Sequence, residues 1–77
     1  MILKILTPEN SESFEGADSI FLPGTAGQFE VLKGHAPLIS SLERGSLRWK
    51  DASGEHSRTL TSGFVTIEND VITVCTE

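Results

Sequence analysis

The chain has 77 residues, 38% of them apolar and 22% charged, with 11 acidic against 6 basic side chains and a net charge of -5. A single domain of this length buries only about 60–65% of the surface it exposes when unfolded, so its core is thin and a partner commonly supplies rigidity. The acidic balance gives no electrostatic basis for nucleic-acid binding, and the single cysteine, Cys75, excludes an internal disulfide and fits a reducing compartment.

Ile2–Leu6 reads as the first strand, closed by Thr7-Pro8-Glu9-Asn10, where Pro8 removes a ladder donor and Asn10 favours a turn. The same run is interrupted by Lys4, which makes it too short for a signal peptide. No stretch reaches the ~20 apolar residues that cross a bilayer, so membrane association is expected only through a protein partner. Phe14-Glu15 leads through Gly16 to a strand over residues 19–22, and Pro23-Gly24 predicts a type II turn. The return strand Gln28-Phe29-Glu30-Val31 alternates, with Phe29 and Val31 toward the core and Gln28 and Glu30 on the other face.

Leu38–Leu42 and residues 46–49 flank Gly45, and Asp51-Ala52-Ser53-Gly54 turns the chain into a polar strand over residues 55–61, suited to a sheet edge. Gly63 marks a bulge or a close backbone approach before the strand at 64–68. Asn69-Asp70 is a tight hairpin turn into the strand at 71–75. Turn signals every eight to twelve residues and the absence of a 3.6-residue apolar period predict an all-β fold. It is a small flattened barrel or β-sandwich of about eight to ten short, mainly antiparallel strands, without a long helix, forming one domain over residues 1–77.

Catalysis would need an oriented nucleophile and base, for which Cys75 or a serine with His35 or His56 are the candidates, but none sits in a supporting motif. Cys75 alternates with Thr73 and Val71 as a small strand hydrophobe. The two histidines lack ligands at zinc spacing, and no glycine-rich run precedes a helix to cradle phosphate. A biotinyl- or lipoyl-carrier module needs a lysine at a hairpin tip, usually beside methionine; Lys33 and Lys50 lie near turns, but the only methionine is Met1. A stand-alone binding or carrier module and a small hydrolase stay as alternatives.

The stretch Gly27-Gln28-Phe29-Glu30-Val31-Leu32-Lys33-Gly34-His35-Ala36-Pro37-Leu38 carries the most information. Gly34 permits an unusual backbone angle, Pro37 fixes its own φ and extends Ala36, and His35 is thus borne on a stiff loop. From spacing alone His35 reads as a structural histidine capping its own turn. The segment resembles the epsilon, or delta-type, subunits of F-type ATP synthases, whose Gly-His-Ala-Pro-Leu motif residues 34–38 match without change. The resemblance runs the full length, through Thr7-Pro8-Glu9, Phe14-Glu15-Gly16, Gly45, Ser62-Gly63-Phe64 and Val71-Ile72-Thr73-Val74. This chain departs from the family in having Lys33 in place of a usual proline, Gln28 in place of an acidic residue and Ser62 in place of a common glycine.

The resemblance implies a non-catalytic rotor subunit with no cofactor, packed on the gamma subunit and resting one end on the polar loops of the membrane c-ring. It places the chain at the cytoplasmic face of the bacterial inner membrane as a peripheral part of the synthase. It implies c-ring contacts at Gln28, Glu30, Gly34, His35, Ala36 and Pro37, and gamma contacts at His35, Ser40 and Thr61. Family ring loops are typically basic, so an acidic end would aid docking. Glu30, about 6.6 Å from Gln28 on one strand face, is a candidate for the missing carboxylate, against the plain reading of a solvated glutamate. ATP binding and inhibition belong to the C-terminal helical hairpin of longer relatives, and neither is expected of residues 1–77.

Overall fold

A computed structural model describes all 77 residues. It contains nine strands: β1 Ile2–Leu6, β2 Ser11–Phe14, β3 Ser19–Gly24, β4 Gly27–Leu32, β5 Leu38–Leu42, β6 Gly45–Asp51, β7 Gly54–Leu60, β8 Gly63–Glu68 and β9 Val71–Thr76. They form one sheet in the order β2-β1-β9-β8-β5-β3-β6-β7, with β4 on the remaining edge of β3. Every pairing is antiparallel except β1 with β9.

The sheet folds over between β5 and β3, which share the single residue pair Gly24 and Leu42. Two backbone bonds fasten this corner, Thr25 N to Ser41 O at 3.2 Å and Glu43 N to Pro23 O at 2.9 Å. The result is two layers, β2-β1-β9-β8-β5 and β4-β3-β6-β7. Strict alternation sends Leu3, Ile5, Val65, Ile67, Ile72 and Val74 inward from the first layer and Ile20, Leu22, Val31, Leu47, Trp49 and Leu60 inward from the second, into one continuous core.

The far margin, where β2 and β7 face each other, has no backbone ladder. Side chains close it: Arg58 of β7 donates through both guanidinium nitrogens to the Glu12 carboxylate of β2, and the Phe14 ring lies 4.9 Å from that of Trp49. Arg58 holds the Glu12 carboxyl below its usual range, and the Arg58 pKa is raised in turn.

The expected all-β barrel or sandwich is the observed one, with three local differences. Ser11–Phe14 is a strand although mostly polar, because pairing with β1 rather than its own composition fixes it. Pro23-Gly24 does not turn. Both residues continue β3, opposite Gln28 and Gly27, and the turn falls on Thr25-Ala26. Pro23 is tolerated there because it lies at the corner, where its carbonyl is used by Glu43. Finally, β6 and β7 extend past the predicted segments to Asp51 and Gly54. Asn69 and Asp70 do form the tight hairpin, both with positive φ (50° and 61°).

Chain direction gives the body two distinct ends. The loop end gathers Met1, residues 15–18, the 33–37 connection and the turns at 52–53 and 69–70. The hairpin end gathers residues 7–10, 25–26, 43–44 and 61–62.

Candidate interaction surfaces

At the loop end the chain leaves β4 at Leu32 and turns back into β5 at Leu38. Gly34 adopts φ 83°, a left-handed angle that a residue with a Cβ rarely takes. Its N–H donates to Asp70 Oδ1 at 2.7 Å, tying this loop to the β8–β9 turn. His35 N donates to Leu32 O at 3.1 Å, and the His35 ring, half-buried, donates from Nδ1 to Ala36 O at 2.7 Å. His35 therefore does brace its own turn, as spacing alone suggests, while Ala36 and Pro37 remain exposed beside it.

This loop borders the outer face of the five-stranded layer. Registered rows run across that face: Ser41, Phe64, Cys75 and Leu6; then Ile39, Thr66, Thr73 and Lys4; then Glu68, Val71 and Ile2. Lys4 and Glu68 are the charged members of these rows. Ile39 is 77% exposed, Phe64 48% and Leu38 37%. A groove of about 460 Å³ between β5 and β8 starts at Pro37 and is walled by Leu38, Ile39, Thr66, Ile67 and Glu68. Large exposed apolar side chains grouped on one face, here Ile39 and Phe64 among small polar neighbours, suit an interaction site. The sequence carried a signal for it: Leu38-Ile39 and Phe64-Val65 put apolar residues on both faces of a strand, where a half-solvated strand alternates.

The structure separates the residues that the resemblance assigned to the ring. Gln28 and Glu30 are exposed on the outer face of the four-stranded layer, Gln28 at the hairpin end and opposite Pro23, Glu30 opposite Phe21. Gly34, His35, Ala36 and Pro37 lie at the loop end, beyond the other end of β4. Five strand residues at about 3.3 Å per residue put roughly 16 Å between Gln28 and the start of that loop. The residues assigned to gamma are also spread out. His35 is at the loop end, Thr61 is exposed in the β7–β8 turn at the hairpin end, and Ser40 is half-buried, opposite Val65, on the face of β5 away from Ile39.

A cluster that sequence reading missed occupies the β6–β7 turn. Asp51 Oδ1 accepts from Ser53 Oγ at 2.6 Å, from Ser53 N at 2.8 Å and from His56 Nε2 at 3.1 Å. The Ser53 hydroxyl, then the His56 ring, hold the Asp51 carboxyl down to about 2. Ser53 Oγ and Asp51 both contact Nε2 of His56, whereas a proton relay to a serine needs the carboxylate on the opposite ring nitrogen. The cluster therefore locks a turn, with the His56 ring stacked 5.3 Å from Trp49. Cys75 sits on the outer face of β9, half-buried opposite Phe64 and away from both histidines. Of the carrier lysines, Lys33 is exposed in the loop and Lys50 lies within β6, 3.9 Å from Glu55.

The family model described as ATP synthase, Delta/Epsilon chain, beta-sandwich domain, matches residues 1–77. Among curated proteins, the chain is 38% identical over 74 residues to the ATP synthase epsilon chain of Synechococcus sp. CC9311, covering 96% of this chain and 55% of that one. It is likewise 38% identical over 78 residues to the epsilon chain of Desulforapulum autotrophicum, covering 100% of this chain and 58% of that one. The chain thus spans a little over half the length of these relatives. In fold it is similar to a chain of the Tetrahymena thermophila mitochondrial ATP synthase central stalk and c-ring, with TM-score 0.82, 13% identity and 97% of this chain against 61% of that one covered. A chain of the Euglena gracilis mitochondrial ATP synthase gives TM-score 0.83 at 20% identity, covering 96% and 48%.

Proposed function

The chain belongs to the delta/epsilon chain β-sandwich family of ATP synthase, and from that premise we propose that it is a non-catalytic rotor element joining the gamma subunit to the c-ring. It works as a peripheral part of the synthase at the cytoplasmic face of the bacterial membrane. The observation that carries this reading is the exposed apolar face of β5 and β8, with Ile39 77% and Phe64 48% accessible. Gamma seats on that face, with the His35 loop at one margin and Thr61 just before β8 at the other, while Ser40, turned away from Ile39, backs the same strand from its inner side. The ring meets the separate surface bearing Gln28 and Glu30, which is on the other layer and leaves the apolar face free. The epsilon-chain relatives and the central-stalk fold neighbour support the stalk-subunit reading.

Torque then passes through packed contacts. Ladder-bonded layers suit that task because their backbone groups are satisfied internally and resist shear.

The test is co-purification with the gamma subunit of a related synthase. Ile39→Asp and Phe64→Asp each place a carboxylate in the apolar contact, at a cost of about 2–3 kcal/mol, or roughly 30–150-fold in affinity. Ile39 is 77% exposed, so its variant changes stability by only about 0.5 kcal/mol and its lost binding is not unfolding, while a thermal melt of Phe64→Asp, at a position only 48% exposed, separates folding from binding. Undiminished capture of both variants refutes the assignment of this face.

A further inference from the structure

The hairpin end holds a polar cleft on the outer side of the four-stranded layer, enclosing about 450 Å³. A Cβ on Gly45 would lie 2.7 Å from Pro23 Cβ, and one on Gly24 would lie 2.8 Å from Gly27 O, so the two glycines let the Pro23 ring and the β3–β4 hairpin pack closely beneath the cleft. Its walls carry Arg44, from the β5–β6 turn, and Arg48, whose guanidinium lies 4.9 Å over the Phe21 ring and is thereby held in place.

Charge accounting singles this place out. Of the six basic side chains, Lys50 and Arg58 are spent on Glu55 and Glu12, leaving Lys4, Lys33, Arg44 and Arg48 without an ion pair. Two of those four meet in one cleft of a chain with net charge -5. The Ser46 hydroxyl and the Gln28 amide line the same walls, likewise without a hydrogen-bond partner in the protein. One carboxylate, Glu43, stands among them and reduces the local charge from +2 to +1. Free guanidinium donors and two neutral donors are what a tetrahedral oxyanion requires, and a net charge of +1 matches a single negative charge.

We propose that this cleft binds a singly charged oxyanion of the phosphate class, held by Arg44 and Arg48 with Ser46 and Gln28 as further donors. The same chemistry is offered by the dihydrogen form of inorganic phosphate, which predominates at mildly acidic pH where the titration is run, and by the phosphodiester of an anionic lipid headgroup. Gln28 also belongs to the surface proposed to meet the ring, so the cleft is tested in the isolated chain, where it is open, and loss of oxyanion binding there does not depend on whether the ring contact is made.

The 77-residue chain is titrated with inorganic phosphate at constant ionic strength, following backbone amides by NMR, and is sedimented with vesicles containing phosphatidylglycerol. The expected result is saturable shifts at Gly24, Gly45 and Ser46 with a millimolar Kd. Each of Arg44→Gln and Arg48→Gln weakens binding about tenfold, Gln28→Glu weakens it by a similar factor, and Lys33→Gln leaves it unchanged. Arg44 lies in an exposed turn, so its variant folds even if loss of the Phe21 contact disturbs Arg48→Gln. Arginine-dependent sedimentation identifies the headgroup as the source of the anion, and phosphate shifts without sedimentation identify the free ion. Shifts that chloride reproduces, binding indifferent to both arginine variants, or equal loss in Lys33→Gln overturns the proposal, as does silence in both assays.

Discussion

Replacing Gly63 by alanine tests whether the strand ladders, rather than core volume alone, hold this small body together. A Cβ at Gly63 would lie 2.1 Å from the carbonyl oxygen of Cys75, at a residue whose φ is 152°. Carbon and oxygen keep at least about 3.3 Å, so β8 and β9 must separate by about 1 Å locally. β9 cannot retreat, because Cys75 is registered with Phe64 on one side and Leu6 on the other. The strain is released by breaking the terminal pair Gly63 with Thr76 and the bond from Thr76 Oγ1 to Ser62 O, 2.7 Å long. Two hydrogen bonds at about 1 kcal/mol each, with about 1 kcal/mol for an alanine at positive φ, sum to about 2–3 kcal/mol. A domain of this size has only about 4–12 kcal/mol in all, and the melting temperature falls by about 10–20 °C. Guanidinium unfolding followed by the fluorescence of the one tryptophan, Trp49, which is 3% exposed, reads the loss directly. Gly16→Ala is the control: φ is 76° and no atom lies within 4 Å of its added Cβ, so it carries the backbone cost of about 1 kcal/mol alone. A Gly63→Ala loss no larger than that of Gly16→Ala refutes the reasoning.

Two further predictions concern charge. The Asp51 carboxyl is depressed from 3.8 to about 2 by Ser53 and then His56, so its interactions stabilise the fold fully above pH 3.8 and are lost as pH falls through about 2. The stability difference between the wild type and Asp51→Asn is therefore largest above pH 3.8 and shrinks as pH falls through about 2; thermal melts across that range check it, and a gap of undiminished size at pH 2 contradicts it. Glu30 is exposed, shares a strand face with Gln28 and has no partner in the protein. If it supplies the carboxylate that meets the ring, Glu30→Gln flattens the salt dependence of binding to isolated c-ring, and an unaltered slope rules that role out.

The fold was legible because its strands announce themselves twice, by alternation and by the turns between them. Ile2–Leu6 and Leu38–Leu42 fall where composition puts them. Gly63 is the expected close approach, and Asn69-Asp70 takes the positive φ pair that its residue types permit. The misplaced turn at Pro23-Gly24 has a physical source. That dipeptide satisfies a type II turn locally, but the corner with β5 uses the Pro23 carbonyl, and the close approach to Phe29 and Gly27 O uses the missing side chain of Gly24. The interaction surfaces were less legible, since a motif gives residues and not the side of the body on which they stand. Gln28 and His35 are seven positions apart in sequence, yet the intervening strand carries them to opposite ends. Nor did spacing reveal that Ser53, Asp51 and His56 converge, because the Ala52-Ser53 turn brings them together.

The two margins of the body are closed by different physics, and this bears on where it is stiff. At the β3–β5 corner, two backbone bonds continue the sheet, so the layers there deform only if a ladder breaks. At the β2–β7 margin, an ion pair and the Phe14–Trp49 contact do the work, and half-exposed ion pairs of this kind contribute only about 0–1 kcal/mol each. A load applied at the apolar face enters through β5 and β8. β5 touches the stiff corner directly, and β8 is paired along its length to β5 and β9. From β5 the load reaches the four-stranded layer through the corner, without crossing the weaker margin. Gln28 and Glu30 lie on β4, paired to the very strand, β3, that forms that corner. The apolar face and the Gln28–Glu30 surface are thus connected by backbone pairing, β8 to β5 to β3 to β4 through the Gly24–Leu42 pair, which is the path that the proposed transmission of torque between gamma and the ring requires.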